Sequence, residues 1–123
     1  MTRRALVVDD DAMIVKLQSM ILERAGFEVI TASNGQEGLE QAAASHPDVV
    51  LLDVMMPGID GLEVARRLKA DPTTRAIPVV LVSARTNMED IDAGRAAGAD
   101  EYVKKPFDPD DLVDLLERLL TGA

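Results

Sequence analysis

The chain has 123 residues, enough for one domain with a real core and too few for two, and its 13 Lys and Arg against 22 Asp and Glu give a formal net charge of −9. That balance argues against a bare nucleic-acid or anionic-membrane binder, which must present Lys and Arg, while 47% hydrophobic and 28% charged residues are too apolar for a disordered acidic tail. No Cys and a single His exclude disulfides, thiolate nucleophiles and Cys-ligated zinc and argue against a Ser/His/Asp triad, so the chemistry falls to Asp, Glu, Lys or Ser.

Met1-Thr2-Arg3-Arg4 precedes only four apolar residues, too short for a signal peptide or a membrane span, which reads as a cytoplasmic protein. Those residues, Ala5-Leu6-Val7-Val8, form the first strand. Ile14, Leu17, Ile21 and Ala25 then recur at helical spacing up to Gly26, with Met13 and Met20 expected to fill helix faces. Phe27-Glu28-Val29-Ile30-Thr31 interleaves polar residues and reads as an edge strand. Ser33 with Gln36 looks like a capping box for a helix running through Leu39 to His46-Pro47, with His46 a surface or capping residue. Val49-Val50-Leu51-Leu52 is the next strand, and Asp60 with Glu63 opens a helix through Leu68. Val79-Val80-Leu81-Val82 is the fourth strand, and Asn87 caps a helix that carries Met88 on its face and ends at Gly98. Tyr102-Val103 is a weaker strand, and Asp108-Pro109 starts a last helix with Leu112, Leu115, Leu116 and Leu119 on its apolar face. The closing Thr121-Gly122-Ala123 fits a natural end or the stump of a linker.

Short unalternating β-branched runs suit strands buried on both faces, and their alternation with helices predicts a single (βα)5 domain over 1–123, a parallel sheet covered on both sides by right-handed crossovers. In such sheets ligands bind beyond the carboxyl ends of the strands. Asp9 and Asp10 follow the first strand, Asp53 the third, Ser83 the fourth and Lys105 the fifth. Three carboxylates meeting there would repel one another unless a cation sat among them, and a hard cation such as Mg²⁺ suits oxygen ligands. With Lys105 and Ser83 added, the set suits a phosphoryl group. A carboxylate is then the plausible acceptor, and Asp53, alone at a central strand end before the turn Met56-Pro57-Gly58, is the candidate.

Over essentially its whole length the chain resembles the receiver domain of two-component response regulators. The resemblance is carried by Val7-Val8-Asp9-Asp10, by the segment from Leu51 through Asp53 and Pro57 to Gly61, by Val82-Ser83-Ala84 and by Tyr102-Val103-Lys104-Lys105-Pro106-Phe107. It implies a flavodoxin-like strand order 2-1-3-4-5. It implies that Asp53 is phosphorylated by a sensor histidine kinase or a histidine phosphotransfer protein, with Mg²⁺ held by Asp9, Asp10, Asp53 and the Met55 carbonyl. Lys105, which directly precedes the proline, would pair with the phosphoryl group, and adjacent Lys104 would point the other way. Ser83 would hydrogen-bond to the group, and Tyr102 would be the switch aromatic that turns inward as Ser83 moves. The Lys105-Pro106 peptide would be cis. Met55 and Arg85 stand where the family tunes acyl-phosphate hydrolysis, and their bulk implies a lifetime of minutes or longer.

Such a protein is no enzyme beyond its own phosphorylation and dephosphorylation, and its output would be a downstream protein target bound by the fourth helix, fifth strand and fifth helix. The same reading expects no direct nucleic acid, no membrane, and a monomer or a weak phosphorylation-dependent dimer. The alternatives are a receiver excised from a larger regulator, a diguanylate cyclase or a hybrid kinase, and a haloacid-dehalogenase-like phosphohydrolase. Against the last, Met13 replaces that family's Thr and little chain remains for a cap domain. The fifth helix lacks the Ala-Arg pattern of receivers joined to winged-helix domains, which counts against that subclass.

Overall fold

A computed structural model describes residues 2–122, so Met1 and Ala123, the outer ends of the two terminal segments considered above, lie outside the described residues. Strands β1 (Arg4–Val8), β2 (Glu28–Ala32), β3 (Val49–Asp53), β4 (Val79–Ser83) and β5 (Glu101–Lys104) alternate with helices α1 (Ala12–Arg24), α2 (Gly35–Ser45), α3 (Gly61–Ala70), α4 (Met88–Ala96) and α5 (Pro109–Thr121). All pairings are parallel, in the order β2-β1-β3-β4-β5.

Strand alternation divides the core into two layers. Leu6, Val8, Val50, Leu52, Val79 and Leu81 point to one side, where they pack with Ala42 of α2 and Val64 and Leu68 of α3. Ala5, Val7, Val49, Leu51, Val80 and Val82 point to the other, against Leu22 of α1 and Leu112 and Leu116 of α5. A strand covered on both faces has no polar position to spare, which is why β3 and β4 are buried throughout and β2 and β5, at the edges, are not. Each fully buried Leu or Val contributes about 1.5–3 kcal/mol relative to an exposed one.

The helix ends follow the expected chemistry with one exception. Asp60, Asn87 and Asp108 each accept backbone N–H groups of the first turn, and Asp11 caps α1. In α2 the cap is Asn34, whose side chain accepts from Glu37 N at 2.8 Å, rather than Ser33. Ser33 lies one residue outside the turn and donates to the Glu37 carboxylate instead. His46 ends α2 in the left-handed conformation.

The face of α1 also differs from expectation. Gln18 and Leu22 are its buried residues, whereas Leu17 and Met20 are each 49% exposed and Met13 is 74% exposed. The helix is rotated so that Leu17 and Met20 line an open groove of about 660 Å³ against Pro109 and Val113 of α5. Met88 is likewise exposed rather than packed. Among the described residues, no helix is long and apolar enough to cross a membrane.

Candidate functional site

Strand alternation sets the aim of the polar residues at the carboxyl edge of the sheet. Asp9 continues the register of Ala5 and Val7, Asp53 that of Val49 and Leu51, and Lys105 that of Val103, all on the α1/α5 side. Ser83 and Tyr102 continue the opposite register, with Leu81 on the α2/α3 side. Two adjoining groups of residues thus share one edge and face opposite ways.

In the first group, Lys105 Nζ donates to Asp9 Oδ2 at 2.9 Å and to Asp53 Oδ1 at 3.2 Å. Asp9 is 2% exposed and Asp53 8%, while Asp10 is open to solvent. The other Asp9 oxygen accepts from Asp11 N at 2.9 Å, so the cap of α1 and the acidic pocket brace each other. Carboxylate oxygens of Asp9, Asp10 and Asp53 lie within 4.8 Å of one another. Burial, then the neighbouring Asp9 charge, pushes the Asp53 carboxyl above its ordinary value, although Lys105 and the Met55 N–H pull it down. For Lys105, burial works against the charge, but the hydrogen bond to Asp9 and the two carboxylate charges outweigh it and hold the ammonium above its ordinary pKa. One lysine against three carboxylates leaves negative charge uncompensated, a donor set of hard oxygens that fits a divalent cation. The bidentate position of Lys105 also separates it from Lys104, which is exposed. The Lys105-Pro106 peptide is cis.

The second group is built on the backbone of Arg85. Ser83 Oγ, 1% exposed as a residue, accepts from Arg85 N at 3.0 Å, and the Tyr102 hydroxyl donates to Arg85 O at 2.6 Å. Tyr102 is half-buried with its ring against Leu81 and Gly94 of α4, already turned in rather than out to solvent. Arg85 entered the reading of the sequence only for its side chain. Its role as the residue whose backbone N–H and carbonyl join Ser83 to Tyr102 has no sequence signal, because any non-proline residue supplies both.

Asp9, Asp10, Asp53 and Lys105 are therefore brought together as expected from the sequence, and Ser83 stands beside them on the neighbouring strand end. Tyr102 lies one step removed, and the Met55 side chain is exposed.

The sequence profile of the response regulator receiver domain matches residues 5–117. Among curated proteins, the DNA-binding response regulator MtrA of Mycobacterium tuberculosis is 40% identical over 113 residues, 92% of this chain and 48% of that protein. The chain thus spans about half the length of the curated relatives it matches. Among solved structures, the chemotaxis protein CheY4 of Vibrio cholerae superimposes with a TM-score of 0.91 at 33% identity, covering 96% of this chain and 98% of that one. The signal receiver domain of a signal transduction histidine kinase from Syntrophus aciditrophicus does so at 0.91 and 31%, covering 99% of this chain and 92% of that one.

Proposed function

The chain belongs to the response regulator receiver domains of two-component signalling, and on that premise we propose that Asp53 is its phosphoacceptor and that Asp9, Asp10, Lys105, Ser83 and Tyr102 carry out and report the transfer. The observation that supports this most is the pair of Lys105 bonds, 2.9 Å to Asp9 and 3.2 Å to Asp53, beside a third carboxylate. A carboxylate oxygen of Asp53 attacks phosphorus, the bond from phosphorus to the donor's imidazole nitrogen breaks, and that nitrogen is left to take a proton from solvent.

Asp9, Asp10, Asp53 and the Met55 carbonyl are the groups that would hold Mg²⁺. When bound, the ion neutralises charge on the transferring phosphoryl oxygens. Lys105 supplies the fixed positive charge of the site. Its reach to two carboxylates lets it exchange a carboxylate oxygen for a phosphoryl oxygen with little movement. Ser83 turns its hydroxyl proton to that group, which draws on Arg85, since the same hydroxyl oxygen holds Arg85 N. Tyr102 is tied to the carbonyl of the same residue, across its Cα, so a change at Ser83 reaches the surface of α4, β5 and α5.

Phosphodonor and target are proteins in this reading, a histidine kinase or phosphotransfer protein upstream and a protein bound at that surface downstream. The described residues act as one receiver unit. Chains similar to this one in sequence occur in a DNA-binding response regulator, and receivers of this shape in a chemotaxis protein and a histidine kinase. The similarity to MtrA weighs against using the α5 pattern to exclude receivers of DNA-binding regulators. The deciding experiment is labelling by acetyl phosphate in Mg²⁺. The parent is expected to take up one phosphoryl group and Asp53→Asn none, and stoichiometric labelling of the variant would mean that another residue is the acceptor.

A further inference from the structure

We propose that Gly94 of α4 is a positioning residue of the switch, a seat without a side chain that holds the Tyr102 ring where its hydroxyl reaches Arg85. The proposal rests on reading Ser83 and Tyr102 as the switch and adds the element that sets where the tyrosine lies.

Glycine in a helix interior is destabilising relative to alanine unless something requires it. Backbone conformation does not require it here, because the glycines with positive φ are Gly26, Gly58, Gly98 and Gly122. Space does. A Cβ at Gly94 would lie 3.0 Å from Tyr102 Cδ2, 3.3 Å from Tyr102 Cε2 and 3.0 Å from Leu81 Cδ1, tighter than most packed carbons come, so one of these neighbours must give way slightly. The flexible end of Leu81 has room to turn. The ring has less, because its hydroxyl is fixed 2.6 Å from Arg85 O, and Arg85 N is in turn fixed 3.0 Å from Ser83 Oγ. A methyl group at position 94 therefore pushes on the same chain of contacts that phosphorylation of Asp53 would pull from the other end.

The test compares Gly94→Ala, Tyr102→Ala and the double variant with the parent. Tyr102 is the single tyrosine and the chain has no tryptophan, so tyrosine emission reports this ring alone. Gly94→Ala is expected to alter the emission of the unphosphorylated protein and to shrink the further change produced by acetyl phosphate with Mg²⁺, while Asp53 still labels to the parent's stoichiometry. Helix propensity alone makes alanine stabilising. Its urea midpoint is therefore expected to rise in the Tyr102→Ala background, where no ring is met, and to fail to rise or to fall in the parent background. Unfolding of Gly94→Ala in the parent background but not beside Tyr102→Ala would support the seat equally. Emission identical to the parent's, the same midpoint shift in both backgrounds, or unfolding in both would overturn it. Failure of the parent to label would sink the phosphoacceptor reading instead and leave the emission and midpoint results to judge Gly94.

Discussion

Lys105 makes the two interactions that decide the character of the site, and both are to carboxylates that sit below the protein surface. Burial and Asp9 hold Asp53 above its ordinary pKa. A carboxyl raised in the folded state contributes to stability while protonated, a contribution fully present below the unfolded pKa and lost as the pH rises through the folded one. At neutral pH the metal-free protein therefore bears a cost for ionised Asp53. Asp53→Asn is expected to unfold at a higher temperature than the parent at pH 7 in chelator, with the advantage shrinking as the pH is lowered toward 4. Equal midpoints at pH 7 would show that Lys105 already balances the charge. Lys105→Ala is expected to keep Mg²⁺ affinity while phosphorylation no longer alters tyrosine emission, and an unchanged emission response would remove Lys105 from the switch. On the proposed reading of Asp53 as phosphoacceptor, Met55 and Arg85, both exposed, stand at the positions where the family tunes acyl-phosphate hydrolysis, so loss of phosphate after removal of the donor is expected over minutes or longer.

At the scale of the element, caps and registers carried most of the information. Asp60, Asn87 and Asp108 were legible because a short polar side chain before an apolar period has one energetic use, accepting the orphan N–H groups of the first turn. Ser33 misled because Ser33 and Asn34 are adjacent and both are good caps. Only the backbone entry into α2 decides which one reaches Glu37 N. Asn34→Ala is expected to cost about 1 kcal/mol in urea unfolding and Ser33→Ala a few tenths at most, and the reverse order would restore Ser33 as the cap. The face of α1 was less legible. Leu17 fits the helical period as well as Leu22 does, but a buried Gln18 beside an exposed Leu17 shows that hydrophobicity alone does not set the rotation of α1.

For the whole molecule, the net charge of −9 is spread over caps and solvated faces, and three of the 22 acids converge. A cation bound only by the folded state stabilises it by RT ln(1 + [L]/Kd), about 2.7 kcal/mol at a hundredfold excess over Kd. Mg²⁺ is expected to raise the unfolding midpoint of the parent and to leave Asp9→Asn/Asp10→Asn nearly unmoved, whereas an equal rise in both would point to non-specific screening. The fold and the identity of the site were legible in the sequence because parallel strands buried on both faces must be continuous apolar runs. The first polar residue after each run then marks the carboxyl edge of the sheet. Asp9, Asp53 and Ser83 needed nothing more, whereas the same rule reaches Lys104 first after Tyr102-Val103, and Lys105 was singled out only by the resemblance, as the lysine that directly precedes the proline. Only the tertiary structure decided that Asp9, Asp53 and Lys105 share one register while Ser83 and Tyr102 share the other, that Arg85 joins the latter pair through its backbone, and that Gly94 makes room for the ring. Those facts depend on close approaches between residues far apart in the chain and on backbone groups that every residue carries, so no residue type in the sequence records them.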